Sequence, residues 1–365
     1  PWIGKFVRLF DTVPISETRA KEALRVAADA LGEGAVVCIF PEGQLTRTGA
    51  MNEFKRGFEM IARKAKCPVL PVAMDGLWGS IFSFERNKFI SKRPYSIPFG
   101  VTVNFGEALA TDEANAPEVR RQVDTLRADA FALRQVLAQP MRILQRSVRL
   151  VGADAGAWRQ RAGELAALEA GQQAQLVANA MQIGEINAIY RGQTVMLEWD
   201  TLEDCRDVLA LVFAQYYKLK LVLVNSLTPV DEVRRLSEKH AVDHYFSGGA
   251  LCGTWKKQGL TGGCYDFSRD ALDSDGCFPC LAVEGRVIAM SMPHPEAETA
   301  TNQHQAGHCA GTWGRLLPGF HIETRDSGIH LTGASLGAAG ISLSNVHLDE
   351  NGMLCSGEMS RIREP

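Results

Sequence analysis

The chain predicts an α/β protein of two units, and three observations carry that reading. An apolar, β-branched run, Val36–Phe40, is expected to be a buried strand, with the charged, glycine-containing stretch Pro41–Gly49 as the loop that ends it. Stretches with helical periodicity lie on either side of that strand. Further on, strand, helix, strand, helix and strand follow one another over residues 194–246 with short connections, the rhythm of a parallel, doubly wound sheet. A generic Rossmann-like architecture accounts for that rhythm without specifying any function.

The composition sets limits on the rest. A chain of 365 residues, 46% of them hydrophobic, is long enough for two cored domains. With 39 basic and 42 acidic residues the net charge is -3, which gives no nucleic-acid footprint. The nine cysteines, irregularly spaced, suit reduced cytosolic thiols better than a disulfide framework. No apolar run reaches the roughly 18 residues of a spanning helix, so membrane contact is expected to be peripheral. The chain opens at Pro1 without Met and ends at Pro365 with no closing element, and is expected to be a fragment of a longer protein.

In order, Pro1–Ser16 reads as a core helix followed by a short strand at Thr12–Ile15, with Lys5 and Arg8 on one edge. Ser16 caps the next helix, whose apolar face is Ala20, Ala23, Leu24, Ala27, Ala28 and Leu31, and Gly32 and Gly34 stop it. After the loop, Asn52–Lys66 forms a helix with Phe54, Phe58, Ile61, Ala62 and Ala65 on one face. Gly57 in it costs about 1 kcal/mol against Ala and implies a close approach. Cys67–Met74 is the next strand, Val101–Phe105 closes the sheet, and Pro117–Gln135 is a charged amphipathic helix. Between them, Trp78–Pro98 interleaves aromatics with Arg86, Lys88, Lys92 and Arg93. Such a stretch suits an anionic membrane interface, or equally a loop packing its aromatics on the core.

The wording of two of these segments is specific. Phe40-Pro41-Glu42-Gly43, with Thr46-Arg47-Thr48-Gly49 after it, resembles the third motif of the PlsC-type glycerolipid acyltransferases. Val69-Leu70-Pro71-Val72-Ala73 resembles their fourth, and the Thr-x-Thr-Gly variant with Asp75–Ser80 resembles the branch fused to acyl-acyl-carrier-protein synthetases. The resemblance covers residues 1–135 and implies a glycerolipid acyltransferase α/β domain. Phe40, Pro41, Glu42, Gly43 and Thr46 are then implied to shape the acceptor site, with Arg47 and Lys55 as the cations for the headgroup phosphate. A solvated surface role fits each of those two cations taken alone. Ser16 stands where the family's second motif often has Arg. The catalytic His and Asp of the family come from an H-x4-D motif, the His taking the proton from the attacking hydroxyl and the Asp fixing its tautomer. This chain has no His before His240, so no catalytic residue is assigned within it and the pair is expected before Pro1. The match at His321 and Asp326 is coincidental.

In the second half, Pro140–Gly192 reads as a helical linker. Strands are expected at Thr194–Glu198, Leu219–Val224 and Val242–Phe246, with helices at Thr201–Tyr217 and from Thr228-Pro229 to His240. Their order resembles the N-terminal subdomain of adenylate-forming acyl-activating enzymes. Gly314–Gly319 resembles the late core of that family, and Leu348–Glu358 the segment whose acidic residue, here Glu358, holds the nucleotide ribose. There is no Ser/Thr/Gly-rich loop ending in Pro-Lys and no Tyr-Gly-x-Thr-Glu motif, so a degenerate or partial doubly wound, adenylate-forming-like domain is expected, with ATP and Mg only if it is active. Cys277-x2-Cys280 with Cys264, His304, His308 and Cys309 has zinc-ligand spacings, but the isolated pair does not compel a metal and none is assigned.

The expected organisation is a PlsC-type domain at 1–137, a helical linker at 138–190 and a partial AMP-binding-like domain at 191–365. The expected activity is acyl transfer from acyl carrier protein or acyl-coenzyme A to a lysophospholipid, lysophosphatidic acid or 2-acylglycerophosphoethanolamine, without a cofactor. The expected place is peripheral, on the cytoplasmic side of a bacterial inner membrane. An ATP-dependent acyl-acyl-carrier-protein ligase and a non-catalytic lipid-binding module are the alternatives.

Overall fold

A computed structural model describes residues 13, 20–47, 49–84, 88–93, 99–134, 149–152, 155–185, 192–198, 214, 217–247, 254–255, 257–260, 263–266, 278–283, 286–291, 312–349 and 352–357. The first half opens with helix α1 (Ala20–Gly32), then α2 (Gly57–Ala65), strands β1 (Val72–Asp75) and β2 (Thr102–Phe105), and helix α3 (Ala116–Ala132). Phe54, Phe58, Ile61 and Ala62 are buried as the periodicity requires. Gly57 opens α2, and a Cβ there would meet Leu24 of α1 at 3.4 Å, an ordinary contact. Asn115 caps α3 by accepting the Glu118 N–H at 3.0 Å, and Pro117 sits in the first turn. Strands β1 and β2 pair antiparallel, Val72 opposite Phe105 and Met74 opposite Val103.

Two expectations are corrected here. Val36–Phe40 is neither paired as a strand nor buried, Val36 being 96% and Phe40 68% exposed. Strand burial requires a neighbour on each side, and the described part of this half offers only the two-stranded β1–β2 sheet. That sheet leaves its own apolar face, Leu70, Val72, Met74, Val101, Val103 and Phe105, exposed. Helix α2 also starts later than expected, because the N–H groups of Asn52 and Lys55 are turned back onto the loop before it.

The second half is built on a ten-stranded sheet ordered β14-β15-β10-β9-β8-β7-β6-β4-β5-β3. Its strands are β3 (Arg149–Gly152), β4 (Thr194–Glu198), β5 (Lys220–Val224), β6 (His244–Ser247), β7 (Gly263–Asp266), β8 (Phe278–Val283), β9 (Arg286–Met290), β10 (Thr312–Leu316), β14 (Val346–Leu348) and β15 (Met353–Ser356). Pairing is parallel from β3 through β8 and antiparallel beyond. The chain runs from β4 to β5 and then through α6 (Val230–His240) back past β4 to β6, the doubly wound order expected. Strands β11 (Phe320–Arg325), β12 (Gly328–Gly333) and β13 (Gly337–Ser344) form a separate antiparallel sheet.

The segment expected as a linker belongs to this core. Strand β3 pairs with β5, and helices α4 (Ala155–Ala166) and α5 (Ala170–Glu185) follow it, with α5 buried from Leu176 to Glu185. Its amides explain a composition that carries no legible chemistry. Asn179 both donates to the Val287 carbonyl at 2.8 Å and accepts the Val287 N–H at 3.0 Å, and Gln182 donates to the Pro318 carbonyl at 2.8 Å. Helix α5 therefore satisfies backbone groups of β9 and of the β10–β11 turn. Cys264 is disulfide-bonded, which corrects the expectation of reduced thiols throughout. No helix among the described residues is long and apolar enough to cross a membrane.

Candidate functional site

The loop after Val36–Phe40 is held by its own backbone. Gly43 N–H donates to the Phe40 carbonyl at 3.1 Å, closing a turn with Pro41 at its first corner and Gly43 at φ 68°, where glycine carries no Cβ penalty. Lys55 N–H donates to the Pro41 carbonyl at 2.7 Å, and Asn52 N–H donates to Glu42 Oε2 at 2.6 Å. Pro41, Glu42, Gly43 and Lys55 are thus brought together by two closures of one fifteen-residue excursion, 41–55. Burial raises the Glu42 pKa, opposed by the Asn52 hydrogen bond and by the positive charges of Arg127, Arg120 and Arg315.

The other assigned residues diverge. Phe40 points to solvent at 68% exposure. Arg47 stacks on the Phe84 ring with its Cζ 4.4 Å from the centroid, and Phe84 in turn stacks on Phe89 at 5.1 Å. The Lys55 ammonium lies 3.7 Å from Glu53, both side chains about half exposed. Thr46 is half-buried, and Glu358 lies outside the described residues. The aromatic and basic stretch is divided. Phe82 and Ile90 are exposed, while Lys92 is buried, its Nζ donating to the Ser83 carbonyl, to Ser83 Oγ at 2.9 Å and to the Lys88 carbonyl at 3.1 Å. Lys92 therefore ties its own loop together rather than offering charge to a membrane surface.

Gly49, last of the Thr-x-Thr-Gly run, has a structural reason. At φ 79°, a Cβ on it would lie 1.7 Å from the Glu185 carbonyl oxygen and 3.0 Å from Trp78. The loop is pressed there onto the end of α5, so the two halves share a seam. A second contact sits beside it. Arg134 donates to both Asp75 oxygens at 2.6 and 2.7 Å and to Glu185, with its guanidinium 4.4 Å from the Phe131 ring centroid. Burial alone would lower the Arg134 pKa, but the Glu185 and Asp75 carboxylates outweigh it and hold it above the ordinary value.

Sequence reasoning missed the other charges at this seam. Arg315 on β10 is 2% exposed and donates to the Met51 carbonyl at 2.7 Å. It turns inward because β10 carries an irregularity between Thr312 and Arg315, with Gly314 at φ 86° too close to the β9 backbone for any Cβ. Arg120 and Arg127 reach the same place from α3, two turns apart on one face. That spacing is the legible signal, and a charged amphipathic reading of the helix hides it. His321, by contrast, lies 3.4 Å from Asp129, and Asp326 is in the turn after β11. Among the described residues no group of three or more His, Cys, Asp or Glu is placed to hold a metal. Of the zinc-spaced residues, Cys264 is in a disulfide, Cys280 is buried on β8, and Cys277, His304, His308 and Cys309 lie outside the described residues.

A family model described as Acyltransferase matches residues 1–75. A 1-acyl-sn-glycerol-3-phosphate acyltransferase from Bacillus subtilis is 36% identical over 88 residues, 24% of this chain and 43% of that protein. A 1-acyl-sn-glycerol-3-phosphate acyltransferase beta from Homo sapiens is 32% identical over 128 residues, 34% of this chain and 43% of that protein. The chain thus spans less than half the length of these relatives. Among solved structures, the O-succinylbenzoate coenzyme A synthetase of Bacillus subtilis in complex with AMP is similar over 50% of this chain and 55% of that one, at 14% identity and a TM-score of 0.39.

Proposed function

We propose, from an N-terminal segment that matches the acyltransferase family model, that the protein of which this chain is part transfers a fatty acyl group to the free hydroxyl of a lysophospholipid. The observation that carries the reading is the Phe40-Pro41-Glu42-Gly43 turn, pinned at Asn52 and Lys55 within the residues that match the family. In the proposed reaction the acceptor hydroxyl oxygen attacks the carbonyl carbon of an acyl thioester, the carbon–sulfur bond breaks, and the thiol of acyl carrier protein or coenzyme A leaves as the ester forms. A His must take the hydroxyl proton. Residues 1–239 contain none, so the base of this reaction comes from outside this segment, and the chain alone is expected to be inactive.

The role proposed for the turn is to shape the acceptor site, with its backbone close to the glycerol, while Arg47 and Lys55 draw the acceptor's phosphate electrostatically from the exposed side. Transfer proceeds without cofactor. Exposed Phe82 and Ile90, with the apolar face of β1 and β2, suit peripheral contact with a membrane presenting the acceptor, proposed here as the cytoplasmic face of a bacterial inner membrane. The test is an acylation assay on a polypeptide extended upstream to include an H-x4-D motif, with lysophosphatidic acid and 2-acylglycerophosphoethanolamine as acceptors and acyl carrier protein or coenzyme A thioesters as donors. Ester product that disappears on replacing the His supports the reading. No product with any donor–acceptor pair overturns it.

A further inference from the structure

The carbonyl of Met51 and the N–H of Asn52 belong to one peptide unit, and both are committed. Arg315 of β10 donates from Nη1 to the Met51 carbonyl at 2.7 Å, and the Asn52 N–H donates to Glu42 Oε2 at 2.6 Å. A peptide unit is planar, with its carbonyl and its N–H on opposite edges. One plane is therefore gripped at both edges, by a guanidinium of the second half and by the carboxyl group of the Phe40-Pro41-Glu42-Gly43 turn. The guanidinium makes the first of these bonds charge-assisted. Hydrogen bonds in series also polarise one another, so electron density drawn to the carbonyl makes the N–H a better donor to Glu42.

The residues on either side fix this plane from the second half. Gly49 lies against the Glu185 carbonyl of α5. Ala50 is buried in the hydrophobic core that the second half builds around Ile183, Leu317 and Phe320, whereas Met51 is buried in the core of the first half with Phe54 and Phe58. The chain thus crosses from one core to the other between Ala50 and Met51, and the next peptide unit carries the two hydrogen bonds. Arg315 is almost wholly buried, and Gly314 before it stands at φ 86° against the β9 backbone, so its own position is set by the sheet. Burial raises the Glu42 pKa and Arg315 is among the charges opposing it, so a direct attraction adds to the same hold. The other closure of the loop, from the Lys55 N–H to the Pro41 carbonyl, uses groups of the first half alone.

We propose that Arg315 is a positioning residue for the turn: through the peptide unit of Met51 and Asn52 it sets where the Glu42 carboxyl stands, with a role in acyl transfer that rests on the acyltransferase reading. The second half is then part of the frame of the acceptor site without touching the acceptor. Losing Arg315 should loosen acceptor binding and leave the acyl donor unaffected, which is a rise in the acceptor KM with little change in kcat.

Amide hydrogen exchange of the full chain, followed by NMR, tests the positioning without needing activity. In Arg315→Met the Asn52 amide should exchange about tenfold faster, while the Val287 amide, which Asn179 holds in the neighbouring strand β9, should stay within about twofold. Arg315→Lys keeps the charge and a donor toward the carbonyl, so its Asn52 rate should fall between the two, and it carries the test if Arg315→Met does not fold. In a polypeptide extended upstream to include an H-x4-D motif, Arg315→Met should raise the KM for lysophosphatidic acid about tenfold and Arg315→Lys less, with the KM of the acyl thioester unchanged. Asn52 exchange that changes no more than that of Val287 in every variant that folds overturns the proposal. An unchanged acceptor KM alongside faster Asn52 exchange overturns the role in transfer. An unsubstituted extended polypeptide that acylates no lysophospholipid overturns the acyltransferase reading, and the exchange rates then decide the positioning of Glu42 by themselves.

Discussion

Replacing Arg134 by Met should unfasten the two halves at a buried ion cluster. The Asp75 side chain is 5% exposed, that of Glu185 12% and that of Arg134 15%, so all three charges are largely shielded from water. Removing the cation leaves two carboxylates desolvated without their partner, and losing one member of a buried pair typically costs about 3–5 kcal/mol. Stacking on Phe131 is lost as well, which adds about 0.5–1 kcal/mol at most. A total near 4 kcal/mol is the expected loss. It is measurable as a fall in the urea midpoint, followed by tryptophan fluorescence. The comparison that isolates the cause is the triple variant Arg134→Met, Asp75→Asn, Glu185→Gln. If uncompensated charge is the reason, removing both carboxylates should recover more than half of the loss. A single variant that loses less than about 1 kcal/mol, or a triple variant no more stable than the single one, refutes the reasoning.

Three further outcomes follow from buried groups and close contacts. Burial lowers the His244 pKa to about 4, despite the opposing charge of Asp243; its Nε2 faces Gln193 Oε1 at 3.2 Å and its Nδ1 abuts the glycine at 263. The unfolded chain takes up that proton below about 6.5 and the folded chain only near 4. Up to about 3 kcal/mol of stability is therefore lost as pH falls between those values, and His244→Gln should flatten that part of the urea midpoint's pH profile. Glu42 has the opposite sign, since its carboxyl holds a proton to higher pH when folded. Glu42→Gln, which keeps an acceptor for Asn52, should therefore stabilise the protein more at pH 7 than at pH 4 in the same measurement. Gly49→Ala places a methyl against the Glu185 carbonyl at a positive φ, so it should lose about 2 kcal/mol or more and raise protease sensitivity in 41–55, whereas Gly43→Ala, whose Cβ has Lys55 at 3.7 Å, should carry only the cost of the backbone conformation.

The doubly wound half was legible because its signal is local. Thr194–Glu198, Lys220–Val224 and His244–Ser247 are short apolar runs between helix caps, and parallel strands buried on both faces need little else. The first half was legible in type and not in burial. Val36–Phe40 has the composition of a core strand, but burial belongs to the neighbours, and no described strand pairs with it. Residues 170–185 were opaque for another reason. Gln and Asn in a helix usually signal a solvated face, and only the β9 backbone opposite Asn179 turns them into core contacts.

The candidate site divides along the same line. The turn at Phe40–Gly43 is written in four consecutive residues, so sequence alone locates it. Its surroundings are written in residues far apart. Arg315 is 264 positions from the Met51 carbonyl it holds, and it reaches that carbonyl only because Gly314 permits the irregularity in β10. Such a contact leaves no periodicity and no motif, since each partner looks locally like an ordinary strand or loop residue. Its consequence is nevertheless specific. A loop closed on itself at Pro41 and Glu42, and whose far side is held by a buried guanidinium from the other half, has its shape set by both halves. Changes at β10 should therefore be felt at the turn even though no residue of β10 belongs to it.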